Sequence, residues 1–198
     1  MVWGTTNMKT LIIYSHPNIQ GYCSYLLELV EGDLKTKNVE YDLIDLYKIN
    51  YDPVLHENEL YSSGNHDISP QNLDFQEKIK GSNNIIIISP IWWASVPAIL
   101  KGFFDKVFTS GFAFRYTKNG LPQKLLKEKN AVVFLTSGGP KIFFTLLGNP
   151  AKQMIKSKTL EFCGIKTKVY QIYKATKLDD VKKIKIEKLV KNGLNNLK

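Results

Sequence analysis

The sequence predicts an α/β protein built on a doubly wound, five-stranded parallel sheet with helices on both faces. Short runs of β-branched apolar residues, such as Ile85 to Ser89, are typical of parallel strands that are buried on both faces. Segments with helical apolar spacing separate these runs, as the crossover connections of a parallel sheet require. With 198 residues, 43% of them hydrophobic, the chain is long enough to form one complete core.

The first part of the chain predicts two strands and a helix. Residues 9–15 are an apolar run and predict strand one, which is followed by a loop at 16–21 and an amphipathic helix at 22–35. Alternating apolar and polar residues at 39–46 predict strand two. Residues 47–70 are polar with weak periodicity, and they predict a surface excursion that contains a short helix.

The middle of the chain predicts two further strands. Helical spacing at 71–80 predicts a helix, and the apolar run at 84–89 predicts strand three. A helix is expected to begin near Pro97, because proline suits the first helical turn. Residues 131–136 predict strand four, and the glycine-containing segment at 137–140 is too flexible to continue as a helix.

The last part of the chain completes the predicted sheet. A helix at 150–162 is expected to end before Gly164, since glycine commonly follows a helix C-terminus. Residues 167–173 predict strand five, and an amphipathic helix is expected at 178–197. The side chains of that helix expected to face inward are Leu178, Val181, Ile184, Leu189, Leu194 and Leu197.

Composition sets the domain organisation and excludes several classes of protein. Residues 1–8 predict a poorly ordered N-terminal extension, and residues 9–198 predict a single domain. No apolar run approaches the roughly 18 residues of a membrane span, so no membrane insertion is expected. The two cysteines favour a reducing, cytoplasmic location over a disulfide framework, and the scattered histidines predict no metal site.

The net charge of +9 is concentrated near the C-terminus, where residues 152–198 contain 13 lysines and 4 acids. A nucleic-acid-binding protein would favour arginine for bidentate contacts, yet Arg115 is the single arginine in the sequence. We therefore predict no nucleic-acid partner and interpret the lysines mostly as a solvated face. An acidic protein partner for this lysine-rich quarter is the alternative interpretation.

Three segments directly follow predicted strands, at 16–24, 90–95 and 136–140. Ligands of doubly wound sheets bind outside the carboxyl ends of the strands, so we expect these segments to form one crevice. It would combine a helix N-terminus suited to an anion, two tryptophans suited to a flat conjugated ligand, and a glycine loop with free amide donors. Each segment has a plainer interpretation as well, namely tryptophan packing over the sheet, an ordinary polar histidine and a simple glycine turn.

Five motifs are spread across nearly the whole chain, and these are Tyr14-Ser15-His16-Pro17, Tyr51-Asp52-Pro53-Val54-Leu55, Pro90 through Phe108, Thr136-Ser137-Gly138-Gly139 and Phe162-Cys163-Gly164-Ile165. In this order they resemble the flavodoxin-like NAD(P)H:quinone oxidoreductases, including reductases of the modulator-of-drug-activity-B type and the ancillary reductases of potassium efflux. The chain has neither a GxGxxG nor a P-loop motif, which argues against a Rossmann dinucleotide site and a P-loop NTPase.

The resemblance implies a flavodoxin-like homodimer with a flavin site at the dimer interface. It places the flavin phosphate near His16, Gly21, Tyr22 and Cys23. It places the isoalloxazine ring against Pro90, Ile91, Trp92, Trp93 and Ala94, and the pyrimidine side of the ring against Thr136, Ser137, Gly138 and Gly139. The cofactor is expected to be FMN, with FAD as the alternative, because the short chain has no added C-terminal segment to hold an adenosine.

The predicted function is that of an NAD(P)H-dependent flavin oxidoreductase. Two electrons would pass by ping-pong hydride transfer from nicotinamide to flavin and then to a quinone or similar acceptor. The family's mammalian members have a tyrosine and a histidine where this chain has Phe144 and Pro150, so no acid–base residue is predicted. Cys23 and Ala94 also depart from the family's usual asparagine and aromatic residue. The alternative is a flavin-binding regulatory subunit of a membrane transporter with little turnover, and a one-electron flavodoxin is disfavoured by the basic charge.

Overall fold

The computed structural model describes residues 8–60, 67–146, 148–195 and 197. Its main sheet has five parallel strands in the order β2-β1-β3-β6-β7. The bounds of these strands are β1 Thr10–Tyr14, β2 Tyr41–Asp45, β3 Asn84–Pro90, β6 Asn130–Thr136 and β7 Lys166–Ile172. The predicted doubly wound sheet is therefore confirmed, with each predicted strand within two residues of its observed bounds.

Helices cover both faces of the sheet. Their bounds are α1 Tyr22–Thr36, α2 Pro70–Gly81, α3 Ala98–Val107, α4 Lys141–Leu146, α5 Pro150–Gln153, α6 Glu161–Cys163 and α7 Asp180–Leu194, with a 3-10 turn at Glu57–Glu59. A π-helical segment, Met154–Leu160, joins α5 to α6, so the helix predicted at 150–162 is one continuous helical stretch. Gly164 ends it at φ 103°, in the left-handed conformation predicted for a glycine cap.

The core consists of two apolar layers, one on each face of the sheet. Alternate residues of the strands point to opposite faces, so Ile85 and Ile87 pack with α2 and α3, whereas Ile86 and Ile88 pack with α1 and α7. Gly102 of α3 allows this helix to lie directly on Pro53, since an added Cβ would be 2.2 Å from the Pro53 carbonyl oxygen.

Three features differ from the sequence prediction, and the first is helix α4, Lys141–Leu146, which was not predicted. A short antiparallel hairpin, β4 Phe114–Tyr116 with β5 Pro122–Lys124, lies between α3 and β6 and was not predicted. In α7, Val181 and Ile184 are exposed instead of facing inward. The buried residues Ile186, Val190 and Leu194 recur every four positions, and this stripe lies on a different face from Val181 and Ile184.

Among the described residues, no helix is both long enough and apolar enough to cross a membrane. The predicted N-terminal extension lies outside the described residues apart from Met8, which is exposed.

Candidate active site at the carboxyl edge of the sheet

Three loops meet at the carboxyl ends of β1, β3 and β6, as predicted. The Cys23 Sγ lies 3.4 Å from the Thr136 Oγ1 and joins the first loop to the third. The Ile91 N–H donates to the Thr136 carbonyl over 2.7 Å and joins the second loop to the third. The rings of His16 and Trp92 lie 6.0 Å apart between centroids, tilted by 58°, and join the first loop to the second. All three segments thus meet at one edge of the sheet, and the surface between them is called the crevice below.

The first loop leads into the N-terminus of α1. Gly21 begins this helix at φ 109° and ψ −158°, a backbone region that is almost exclusive to glycine. No side chain caps α1, so its first amides are available to a ligand and the helix dipole favours an anion there. The His16 Nδ1 accepts from the Asn18 N–H over 3.1 Å, which turns the histidine ring toward Trp92 at the crevice.

The side chains of Tyr22 and Cys23 are buried beneath this helix N-terminus instead of facing it. The Tyr22 hydroxyl donates to the Lys177 carbonyl over 2.8 Å. Burial raises the pKa of the Cys23 thiol to about 11, so the thiol is protonated at neutral pH. Both residues can therefore contact an anion through backbone amides, while their side chains fix α1 against the rest of the domain.

The second loop is a tight turn that projects two tryptophans. Trp92 and Ser95 exchange N–H to carbonyl hydrogen bonds of 2.9 Å, and the two residues between them, Trp93 and Ala94, have φ values of 50° and 58°. The side chain of Trp93 is fully exposed and that of Trp92 is 41% exposed. Trp93 therefore does not pack over the sheet, whereas more than half of the Trp92 side chain is covered. The preceding residues Pro90 and Ile91 are instead part of β3 and of the core layer.

The third loop offers two amide donors. The N–H groups of Gly138 and Gly139 donate no hydrogen bond to any residue that the structure describes. The Ser137 hydroxyl, in contrast, is already used within the protein, because it lies 3.4 Å from the Ile172 carbonyl and accepts from the Gln171 Nε2 over 3.2 Å. The donors available to a ligand at this loop are consequently backbone amides.

Sequence reasoning missed the residues that hold this loop in place. The Asn149 Nδ2 donates to the Gln171 Oε1 over 2.6 Å, and Gln171 in turn holds Ser137. The Lys174 N–H donates to the Gly139 carbonyl over 3.1 Å. Asn149 and Gln171 are far apart in the sequence and belong to no motif, so no local signal identifies them.

The structure also shows what surrounds Phe144 and Pro150, the positions at which the resemblance implies a tyrosine and a histidine in the mammalian members. Phe144 is buried and packs against the ring of Tyr173, with 5.7 Å between centroids. Pro150 is the first residue of α5. Tyr173 lies directly after β7, and its hydroxyl donates to no described residue. Sequence reasoning did not identify this tyrosine as a site residue.

The described residues fit a flavin. A phosphate suits the uncapped N-terminus of α1, and a flat ring suits the crevice beside Trp92. The two unpaired amides at Gly138 and Gly139 suit the polar edge of such a ring. These three features occupy adjacent strand ends, which is the arrangement expected for a ligand at the switch point of a doubly wound sheet.

Residues 8–192 match the model of a protein family described by its flavodoxin-like fold. An uncharacterised NAD(P)H oxidoreductase of Haemophilus influenzae is 30% identical over 84% of this chain and 83% of its own. A human ribosyldihydronicotinamide dehydrogenase [quinone] is 29% identical over 83% of this chain and 80% of its own. Among solved structures, an FMN-dependent NADH-azoreductase of Bacillus anthracis in complex with FMN superimposes with a TM-score of 0.70 at 21% identity, covering 96% of this chain and 100% of its own.

Proposed function

This chain belongs to the family of proteins with a flavodoxin-like fold, and on that premise we propose that it is an NAD(P)H-dependent flavin oxidoreductase that reduces quinones or similar acceptors. The names of the Haemophilus and human relatives support the nucleotide and the acceptor class. The observation on which the proposal depends is the convergence of three loops on one crevice with unpaired amides at Gly138 and Gly139.

The residues at the crevice would each hold one part of the flavin. The N-terminal amides of α1, after Gly21, would bind the phosphate, with His16 beside them. The turn at Trp92–Ala94 would lie against the ring, and the amides of Gly138 and Gly139 would donate to its pyrimidine side. We expect the flavin to be FMN, with FAD as the alternative.

When bound, the flavin would supply the two-electron chemistry between nicotinamide and acceptor, which we expect to follow a ping-pong cycle. The protein's own contribution is to orient the reactants and to stabilise negative charge with preorganised amide donors. Because the side chains of Phe144 and Pro150 cannot donate a proton, Gly138 and Gly139 become the main source of that stabilisation.

The role of the glycine amides can be tested with two variants of one residue. An added Cβ at Gly138 meets no atom within 4 Å, so Gly138→Ala keeps both the amide donor and the packing, whereas Gly138→Pro removes the donor. We expect Gly138→Pro to weaken FMN binding by about tenfold, the value of one lost hydrogen bond, and Gly138→Ala to leave it nearly unchanged. Fluorescence titration of the apoprotein with FMN measures the affinity of both variants. Thermal unfolding of the two variants shows whether they fold equally well. Equal affinities of the two variants would contradict the proposed contact.

A further inference from the structure

A basic cavity of about 500 Å³ lies beside the candidate active site. Its walls come from α4, from the helical stretch that begins with α5, and from the residue that follows β7. Its lining side chains include Lys141, Thr145, Lys152, Lys156 and Tyr173. This cavity is separate from the crevice at His16 and the N-terminus of α1.

The charge of this cavity is positive. Lys141 and Lys152 form no ion pair with any residue that the structure describes. Lys156 has a loose partner in Glu161, at 3.6 Å between Nζ and Oε1, and both side chains are more than one third exposed. No aspartate or glutamate is among the described residues that line the cavity, and Glu161, which is outside its walls, partly offsets the charge of Lys156 alone. A cavity of this composition attracts anions.

The cavity adjoins the glycine loop of the candidate active site. Phe144 forms part of its wall, and the same ring lies 3.2 Å from where a Cβ on Gly139 would be. The ring of Tyr173 packs on Phe144 from the cavity side. Two polar groups lie among the lysines, the Tyr173 hydroxyl and the Thr145 side chain. The Tyr173 hydroxyl donates to no described residue. A ligand that reaches the glycine loop can thus extend a charged group into this cavity.

We propose that this cavity binds a phosphate, sulfonate or carboxylate group belonging to a substrate that reacts at the candidate active site, which makes the inference dependent on the proposed function. The flavin phosphate is not that group, because its expected site is the N-terminus of α1, near the end of β1, whereas the cavity lies past β6 at the end of β7. The anion has two sources, the 2′-phosphate that distinguishes NADPH from NADH, or an acidic substituent on the electron acceptor.

The test compares two double variants that remove the same charge. Lys141→Gln with Lys152→Gln removes two of the three ammonium groups of the cavity. Lys185→Gln with Lys188→Gln neutralises two exposed lysines of α7, a helix that packs on the opposite face of the sheet. Steady-state kcat/KM is measured for NADPH and NADH, and for a naphthoquinone sulfonate and the uncharged menadione. Calorimetric titration of the full chain with NADP⁺, NAD⁺ and the sulfonate provides a second readout that does not depend on turnover.

We expect the cavity variant to lose at least tenfold of its preference for the charged member of one substrate pair, and the α7 variant to keep that preference. Loss in the nucleotide pair identifies the 2′-phosphate as the anion, and loss in the quinone pair identifies the acceptor. Unchanged preferences and unchanged calorimetric affinities in the cavity variant would overturn the inference. Flavin binding and reduction by NADPH in the unmodified protein are scored separately, so that a failure of the proposed function is distinguishable from a failure of this site.

Discussion

At the scale of single residues, the turn at Trp92–Ser95 holds two non-glycine residues in left-handed backbone conformations, Trp93 at φ 50° and Ala94 at φ 58°. Such conformations cost roughly 1–3 kcal/mol each and persist where the surroundings enforce them. Here the paired hydrogen bonds between Trp92 and Ser95 enforce the turn. The turn conformation leaves the Trp93 side chain in solvent. A large apolar side chain in this strained and exposed position supports a ligand-contacting role for the loop.

Gly21 gives a prediction about backbone strain in the first loop. Its φ of 109° and ψ of −158° are nearly inaccessible to residues with a Cβ, so Gly21→Ala should lower the free energy of unfolding by about 1–3 kcal/mol. Gly32 is the control, because it lies in the interior of α1 with no atom within 4 Å of an added Cβ. Gly32→Ala should raise stability by about 0.5–1 kcal/mol. Urea unfolding measures the stability of both variants. A Gly21→Ala protein as stable as the parent would contradict the strained backbone conformation at Gly21.

The two buried cysteines give a prediction about pH. Burial raises the pKa of the Cys23 thiol to about 11 and that of the Cys163 thiol to about 12. Unfolded thiols release their protons near pH 8.5, so between about pH 8.5 and 10 the folded state binds more protons than the unfolded state. Stability should therefore fall as pH rises through this range.

Urea unfolding at pH 7.5, 8.5 and 9.5 checks this prediction. A Cys23→Ala, Cys163→Ala variant is the control and should show a weaker dependence on pH over the same range. Native protein should also react slowly with a thiol reagent at pH 8, since buried thiols are mostly protonated there. Rapid labelling of either cysteine in the folded protein would show that the thiol is accessible or ionised.

At the scale of elements, α3 is tied to the segment that follows β2 by a buried ion pair. The Lys106 Nζ lies 3.1 Å from the Glu59 Oε2, with side chains only 6% and 10% exposed, and it donates to the Val54 carbonyl over 2.9 Å. Lys101, on the same helix, pairs with Asp105 at an exposed position. The two lysines therefore differ mainly in burial, which decides how much each ion pair affects stability.

Substituting each lysine by methionine tests this difference. Lys106→Met removes the ion-pair partner of the buried Glu59 carboxylate, which among the described residues keeps only the hydrogen bond from the His56 N–H, and should lower the free energy of unfolding by about 3–5 kcal/mol. Lys101→Met should change stability by less than about 0.5 kcal/mol, because exposed pairs contribute little. Thermal and urea unfolding of both variants give the comparison. A similar small effect in both proteins would mean that the buried pair contributes no more than the surface pair.

The order of strands and helices was predictable from the sequence, whereas details set by tertiary contacts were not. The short β-branched run Ile85–Ile88 predicts a buried strand. Gly164 predicts a helix end because glycine readily adopts the left-handed conformation found there. The face of α7 was wrong because Val181 and Ile184 follow helical spacing without lying in the stripe that reaches the sheet. The hairpin β4–β5 was missed because its two strands are only three residues each, too short to show an alternating pattern.

The candidate site was predictable as a set of loops but not as a set of contacts. Strand alternation places the loops of His16, Trp92 and Gly138 at one edge of any doubly wound sheet. Hydrogen-bonding partners that are distant in the sequence decide which donors and acceptors of these loops remain available to a ligand. Gln171, for example, occupies the Ser137 hydroxyl. The exposure of Trp93 likewise follows from a backbone conformation that no residue pattern specifies.

At the scale of the whole molecule, we propose a homodimer that uses the edge bearing the site. Three residues of α4 expose apolar side chains there, Ile142, Phe143 and Leu146, at 66%, 52% and 79%. An Ile142→Glu, Phe143→Glu variant should elute as a monomer when light scattering measures the mass of parent and variant. Ile184→Glu on α7 is the control for a charge at an exposed apolar position and should leave the mass unchanged. A monomeric parent protein would contradict the proposal.

The central claim is that the crevice at the carboxyl edge holds a flavin that NAD(P)H reduces. The most direct measurement is the absorbance spectrum of the flavin-reconstituted protein under anaerobic conditions, before and after NADPH and then after a quinone. We predict flavin bands that bleach on addition of NADPH and return on addition of the quinone. Protein that binds no flavin, or bound flavin that neither NADPH nor NADH bleaches, would contradict the oxidoreductase account, and bound but inert flavin would instead favour a regulatory subunit.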